Sequence, residues 1–133
     1  MECPVSVKNI SKSYGKVHAL KNAHFNVNKG ELFGIIGPDG AGKSTLFRIL
    51  VTLLFPDDGE AFVEGNNVVG GFKDIRKTVG YMPGRFSLYQ DLSVEENLNF
   101  FASIFKTTVE ENYHLVKDIY SQIEPFKKRL AGK

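Results

Sequence analysis

The sequence predicts an α/β fold in which antiparallel strands lead into one central parallel strand, a glycine-rich loop and a helix, with a helical subdomain behind. Three observations predict it. Leu32, Phe33, Ile35 and Ile36 form an apolar run without alternation, the pattern of a parallel strand covered on both faces. The run leads directly into Gly37-Pro38-Asp39-Gly40-Ala41-Gly42-Lys43-Ser44-Thr45, which fits G-x-x-x-x-G-K-[ST] without a mismatch. Behind the loop, Leu46, Ile49, Leu50, Leu53 and Leu54 keep helical spacing, predicting a helix from Lys43 to Phe55 that Pro56 ends.

The chemistry of the loop follows from phosphate. A polyphosphate carries dense negative charge, and glycine lets the backbone wrap closely enough to aim its N–H groups at that charge. Those of about Gly40 to Thr45 are the candidates, and the helix N-terminus adds its positive dipole end. Gly37, Gly40 and Gly42 permit the approach, with Pro38, Asp39 and Ala41 completing the loop. Lys43 would reach the terminal phosphates as a compact charge, the Ser44 hydroxyl would hold Mg2+, and Thr45 would donate to a phosphate oxygen nearer the ribose. A glycine turn capping an ordinary helix is the competing account. The apolar run ahead and the amphipathic pattern behind favour the phosphate site, and with it a P-loop nucleoside triphosphate hydrolase fold.

The remaining elements follow in order. Val5 to Ile10 alternates apolar Val5 and Val7 with polar Ser6 and Lys8, as a half-buried strand does, until Ser13-Tyr14-Gly15-Lys16 breaks it. His24 to Val27 alternates again before Asn28-Lys29-Gly30 turns. Pro56-Asp57-Asp58-Gly59 is turn chemistry, Glu60 to Glu64 a short strand, Gly65-Asn66-Asn67 a turn, and Phe72 to Lys77 one or two helical turns. Val79 to Met82 is a short apolar run closed by Pro83-Gly84. Ser93-Val94-Glu95-Glu96 and Thr108-Val109-Glu110-Glu111 are capping boxes, predicting helices to about Phe105 and Ile123. The expected organisation is a nucleotide-binding core over residues 1–90 and a partial helical subdomain over 91–133.

With 133 residues, 42% of them hydrophobic, the chain suits one core rather than two. Its 17 basic and 15 acidic residues are interspersed, so no basic field points to nucleic acid. Lys127, Lys128 and Arg129 form the one tight basic cluster, read as solvated. A single cysteine excludes an internal disulfide, and the first residues lack a signal peptide's apolar core, so the chain reads as cytoplasmic. Lys43 and Arg48 interrupt the best candidate for a membrane span. The three histidines lack ligand spacing, leaving Ser44 as the one proposed metal contact.

Four stretches together resemble the nucleotide-binding domain of an ATP-binding cassette transporter, and most the multidrug and polysaccharide exporter branch. They are Tyr14-Gly15 with Ala19-Leu20, the loop Gly37 to Thr45, Pro56-Asp57-Asp58-Gly59, and Val79-Gly80-Tyr81-Met82-Pro83 ahead of Asp91-Leu92-Ser93-Val94-Glu95-Glu96-Asn97-Leu98. The resemblance implies ATP and Mg2+ as ligands and an ATPase coupled to transport. It also implies a membrane-spanning partner received near Arg85 to Asp91, a second nucleotide-binding domain, and a place at the inner face of the plasma membrane. By the same resemblance Tyr14 would be the stacking platform for adenine.

Two departures from the family pattern bear on catalysis. Gly84 stands where the family usually has a glutamine that contacts magnesium and the attacking water, and Gln90, six residues on, is no evident substitute. The chain ends at Leu130-Ala131-Gly132-Lys133, before the family's signature, its magnesium-binding aspartate, its catalytic glutamate and its switch histidine. The expectation is therefore the N-terminal part of a longer domain, binding ATP without turning it over and leaving an apolar sheet edge uncovered. The alternatives are another P-loop kinase or GTPase, for which no guanine-reading motif or arginine-rich lid is found, and a non-hydrolysing nucleotide-binding interaction module.

Overall fold

The structure, a computed structural model, describes residues 3–133. The chain divides into two compact units, Met1–Tyr81 and Met82–Lys133, a division nearer the N-terminus than the 90/91 boundary expected from the sequence.

In the first unit, β1 (Val5–Tyr14) and β2 (Val17–Val27) form an antiparallel hairpin that turns at Gly15 and Lys16. Both strands are longer than their alternation suggested, because register shifts break the alternation on each, at Asn9 in β1 and at Asn22 (φ 48°) in β2. Val7 opposes Phe25 and Ile10 opposes Ala23, so β1 spends one residue more than its partner, and Asn9 absorbs it with φ 53°. The extra residue puts Val7 and Ile10 on one face despite their spacing of three. β3 (Asp58–Val63) pairs antiparallel with β1, and Glu64-Gly65, both at positive φ (48° and 75°), turn it into the short β4 (Asn66–Asn67). The sheet order is β2-β1-β3-β4.

Two helices complete this unit, α1 (Lys43–Leu50) and α2 (Phe72–Thr78). Val7, Ile10, Leu46, Ile49, Ala61, Val63, Val68 and Ile75 form the core. Ile10, Ile49 and Ile75 are fully buried, each contributing on the order of 1.5–3 kcal/mol. The core thus anchors α1 to the sheet through the face that carries Leu46 and Ile49.

Two expectations are corrected here. Leu32 to Ile36 joins no strand ladder, and Leu32 and Ile36 are 101% and 97% exposed. A parallel strand draws its hydrogen bonds and its cover from neighbours on both sides, and the described sheet is antiparallel throughout and does not include this segment. Phe33 stacks on Phe25 at 5.0 Å, and Ile35 packs against the core edge, but the backbone between them stays unpaired. The second correction concerns α1, which ends at Leu50 instead of continuing to Phe55, because Thr52 takes φ 68°.

In the second unit both capping boxes form and start α3 (Val94–Ile104) and α4 (Val109–Ile123). Ser93 Oγ accepts from Glu96 N at 3.1 Å while Ser93 N donates to Glu96 Oε2 at 2.7 Å, and Thr108 and Glu111 repeat the exchange at 3.2 Å in each direction. Asn97 is 1% exposed and fully employed: it accepts from Tyr89 N at 2.8 Å and donates to the carbonyls of Tyr89 and Ser93, each at 2.9 Å. A 3₁₀ turn, Glu124–Phe126, brings the last residues back to the start of α3. There Val94 N and Glu95 N donate to Arg129 O and Lys127 O. The basic cluster is therefore structural in its backbone, and two of its side chains are engaged, Lys127 with Glu95 at 3.6 Å and Arg129 over Phe126 at 4.6 Å.

Candidate functional site

The first three N–H groups of α1, on Lys43, Ser44 and Thr45, have no acceptor within the helix, and the residue at the N-cap, Gly42, offers no side chain to cap them. An uncapped helix start concentrates positive potential at its mouth. Gly42 is required there twice over. Its φ is 93°, and a Cβ in its place would stand 2.2 Å from Ala19 O and 2.8 Å from Leu20 Cδ2. The start of α1 is thus pressed against the backbone of β2.

Gly40 also has positive φ, 83°, but faces open space, so it serves the course of the loop rather than its packing. Lys43 folds back across the mouth, and its ammonium donates to the carbonyls of Gly37 and Pro38, the latter at 2.7 Å. Pro38 O also accepts from Ala41 N at 3.1 Å, which closes the loop on itself. A groove of about 310 Å³ results, lined by Val17, Ala19, Asp39, Gly40, Gly42 and the side chains that open α1. Ser44 is exposed at its mouth, whereas Thr45 is 9% exposed and turned into the protein.

This arrangement suits a polyphosphate. It offers a row of backbone donors without partners in the helix, one ammonium and one exposed hydroxyl, with Asp39 the only acid in the lining. Among the described residues no group of three or more His, Cys, Asp or Glu could hold a metal ion, so Mg2+ would depend on Ser44 and on the phosphates themselves.

Tyr14 closes β1 and is 47% exposed. It does not line the groove, but its cross-strand partner Val17 does. Behind Tyr14 lies a polar anchor that sequence reading missed. Asp57 accepts from Lys12 Nζ and from Ser13 N, both at 2.7 Å, and the Lys12 ammonium sits 5.9 Å from the Tyr14 ring centroid. The hydrogen bond from Lys12, and after it the one from Ser13 N–H, holds the Asp57 carboxyl below its ordinary value. Val17 and Ala19 were also missed as lining residues, since an ordinary strand position signals nothing about the loop it faces across the sheet.

Gly84 and Gln90 belong to the second unit. Gly84 is exposed, and a side chain there would meet nothing within 4 Å. Gln90 accepts from Gly132 N at 3.2 Å through its backbone carbonyl, so its visible work is to hold the end of that unit.

Comparison with known proteins identifies the family. Residues 20–132 match the ABC transporter family. The chain belongs to it. Relatives of this ABC chain include the probable multidrug ABC transporter ATP-binding protein YbhF of Escherichia coli, 40% identical over 78% of this chain and 18% of the relative. The Nod factor export ATP-binding protein I of a Rhizobium species is 37% identical over 97% of this chain and 41% of its own length. The glucose import ATP-binding protein GlcV of Saccharolobus solfataricus is 35% identical over 96% and 40%.

Among solved structures, an ATP-binding subunit of an ABC transporter superposes with a TM-score of 0.80 at 27% identity, covering 95% of this chain and 53% of that one. A dimeric ATP-binding cassette in a post-hydrolysis state with ADP and Pi gives 0.78 at 27% identity, covering 96% and 61%. The fold is accordingly that of the ABC cassettes, a P-loop nucleoside triphosphate hydrolase fold. The chain spans less than half the length of these curated relatives. Among the described residues no helix is long and apolar enough to cross a membrane.

Proposed function

We propose that this ABC chain supplies the phosphate-binding part of an ATP-binding subunit that couples ATP binding and hydrolysis to export across a membrane. The observation that carries the reading is the uncapped start of α1, with Lys43 folded over its mouth and β2 closing one side. In this reading the N–H groups of Gly42 to Thr45 bind the phosphates, and the Lys43 ammonium exchanges the carbonyls of Gly37 and Pro38 for the terminal phosphates. The Ser44 hydroxyl would hold Mg2+, which when bound offsets charge on the transferring phosphoryl group. Tyr14 would stack on adenine from the end of β1. Export as the direction is supported by the multidrug and Nod factor relatives and opposed by the glucose importer.

Transport further requires a membrane-spanning partner at the inner face of the plasma membrane and a second nucleotide-binding domain. The dimeric cassette among the structural relatives supports the latter. The chain's own residues supply a cradle but no group that aligns an attacking water, and Gly84 has no side chain with which to do so. This chain therefore binds ATP without turning it over.

Calorimetric titration tests the reading. Lys43→Ala removes a charge-assisted contact worth about 1.5–3 kcal/mol, so ATP affinity falls about ten- to a hundredfold. Equal affinities of wild type and variant sink the assignment. Preference for GTP over ATP would count against the ATP reading, and rapid phosphate release by this chain alone would overturn the expectation of binding without turnover.

A further inference from the structure

The early end of α1 has a cause outside the helix. Its last turn closes as a Schellman motif: Leu53 N donates to Arg48 O at 2.8 Å and Thr52 N to Ile49 O at 3.0 Å. That motif needs a left-handed residue at Thr52, a position normally given to glycine. Threonine is β-branched and disfavours the conformation, yet Thr52 holds φ 68° and is only 8% exposed. Nothing in LFRILVTLLF calls for a stop there, since the apolar spacing continues to Leu54.

Arg76 of α2 supplies what the local sequence does not. Its Nε donates to Thr52 Oγ1 at 2.8 Å and its Nη2 to Thr52 O at 3.0 Å, so one planar guanidinium grips side chain and backbone of the same residue. The guanidinium itself lies over the Phe72 ring at 5.1 Å.

We infer that Arg76 is a positioning residue of the phosphate site, acting by holding Thr52 left-handed so that α1 stops at Leu50. Without the grip, Val51 to Leu54 can follow their spacing into the helix, which rises 1.5 Å per residue against about 3.3 Å for extended chain. The connection to β3 then shortens by at most about 7 Å. Its far end cannot yield easily, because Asp57 is tied to Ser11 O, Lys12 and Ser13. The displacement passes instead to the start of α1, where Gly42 already lies against Ala19 O. The donors of Lys43 to Thr45 move with it. The inference rests on the phosphate-binding reading above.

The test compares the 133-residue chain with Arg76→Ala, Arg76→Lys, Thr52→Gly and the double variant Arg76→Ala/Thr52→Gly. Two quantities are read below any unfolding transition: affinity for inorganic triphosphate by calorimetry, and backbone carbon shifts of residues 51–54 by NMR. Arg76→Ala should weaken triphosphate about tenfold, the size of one misplaced charge-assisted contact, and move the Thr52 shift toward helical values. Arg76→Lys keeps one of two donors and should fall between. The double variant should return to within about twofold of wild type, because glycine adopts positive φ unaided.

Recovery of folding in the double variant, should Arg76→Ala not fold, supports the same mechanism. Lower thermal stability of Arg76→Ala with unchanged triphosphate affinity overturns the inference, as does a double variant no better than the single one. A wild-type chain that binds no triphosphate overturns the phosphate reading itself, and this inference with it.

Discussion

Replacing Gly42 by alanine puts the close approach between the phosphate loop and β2 to a quantitative test. The added Cβ meets Ala19 O at 2.2 Å and Leu20 Cδ2 at 2.8 Å, below the 3.0 Å that real Cβ contacts keep, and it must do so at φ 93°. The left-handed backbone alone costs an L-residue about 1–2 kcal/mol. The clash adds about 1–3 kcal/mol, as overpacking against an unyielding neighbour does, because Ala19 O is backbone and cannot rotate away. Together these amount to about 2–5 kcal/mol, which for a chain of this size lowers Tm by about 6–20 °C.

Gly40→Ala is the internal control. It shares the positive φ, 83°, but meets nothing within 4 Å, so it should cost only the backbone term and about 3–8 °C. Calorimetric melts of the two variants against wild type give both numbers, and triphosphate titration should show the larger loss of affinity for Gly42→Ala. Equal destabilisation by the two substitutions would refute the close approach of loop and strand.

Tyr14→Ala should weaken ATP by about 1–3 kcal/mol while leaving inorganic triphosphate unaffected, and Tyr14→Phe should be nearly silent; an equal loss for both ligands makes Tyr14 structural. Asp57 should make the hairpin end sensitive to acid. Its folded pKa is depressed below 3.8, so its stabilising contribution is present above that value and is lost as pH falls through the folded pKa. Urea melts at neutral pH and below the ordinary carboxylate range should therefore differ less for Asp57→Asn than for wild type, and an unchanged difference would count against the anchor. Ser93→Ala and Thr108→Ala each remove one capping box and should each lower stability by about 1 kcal/mol, read from the same melts. No loss from either would mean that neighbouring donors replace the cap.

Much of this protein is decided by neighbours in the chain, and that much the sequence determined by itself. The capping boxes at Ser93 and Thr108 need only a partner three residues away, and both form with the residues expected. The phosphate loop is likewise local: glycines at Gly40 and Gly42 permit positive φ, and Lys43 opens the helix. Tertiary structure decided the rest, because the deciding contact lies far along the chain. Where α1 stops depends on Arg76 reaching Thr52 from another helix, against an apolar pattern that runs on to Leu54. Which strand residues border the groove depends on β2 folding back against Gly42. Whether Leu32 to Ile36 becomes a strand depends on neighbours to pair with, since an apolar run specifies burial but cannot supply the hydrogen-bonding edges that burial requires.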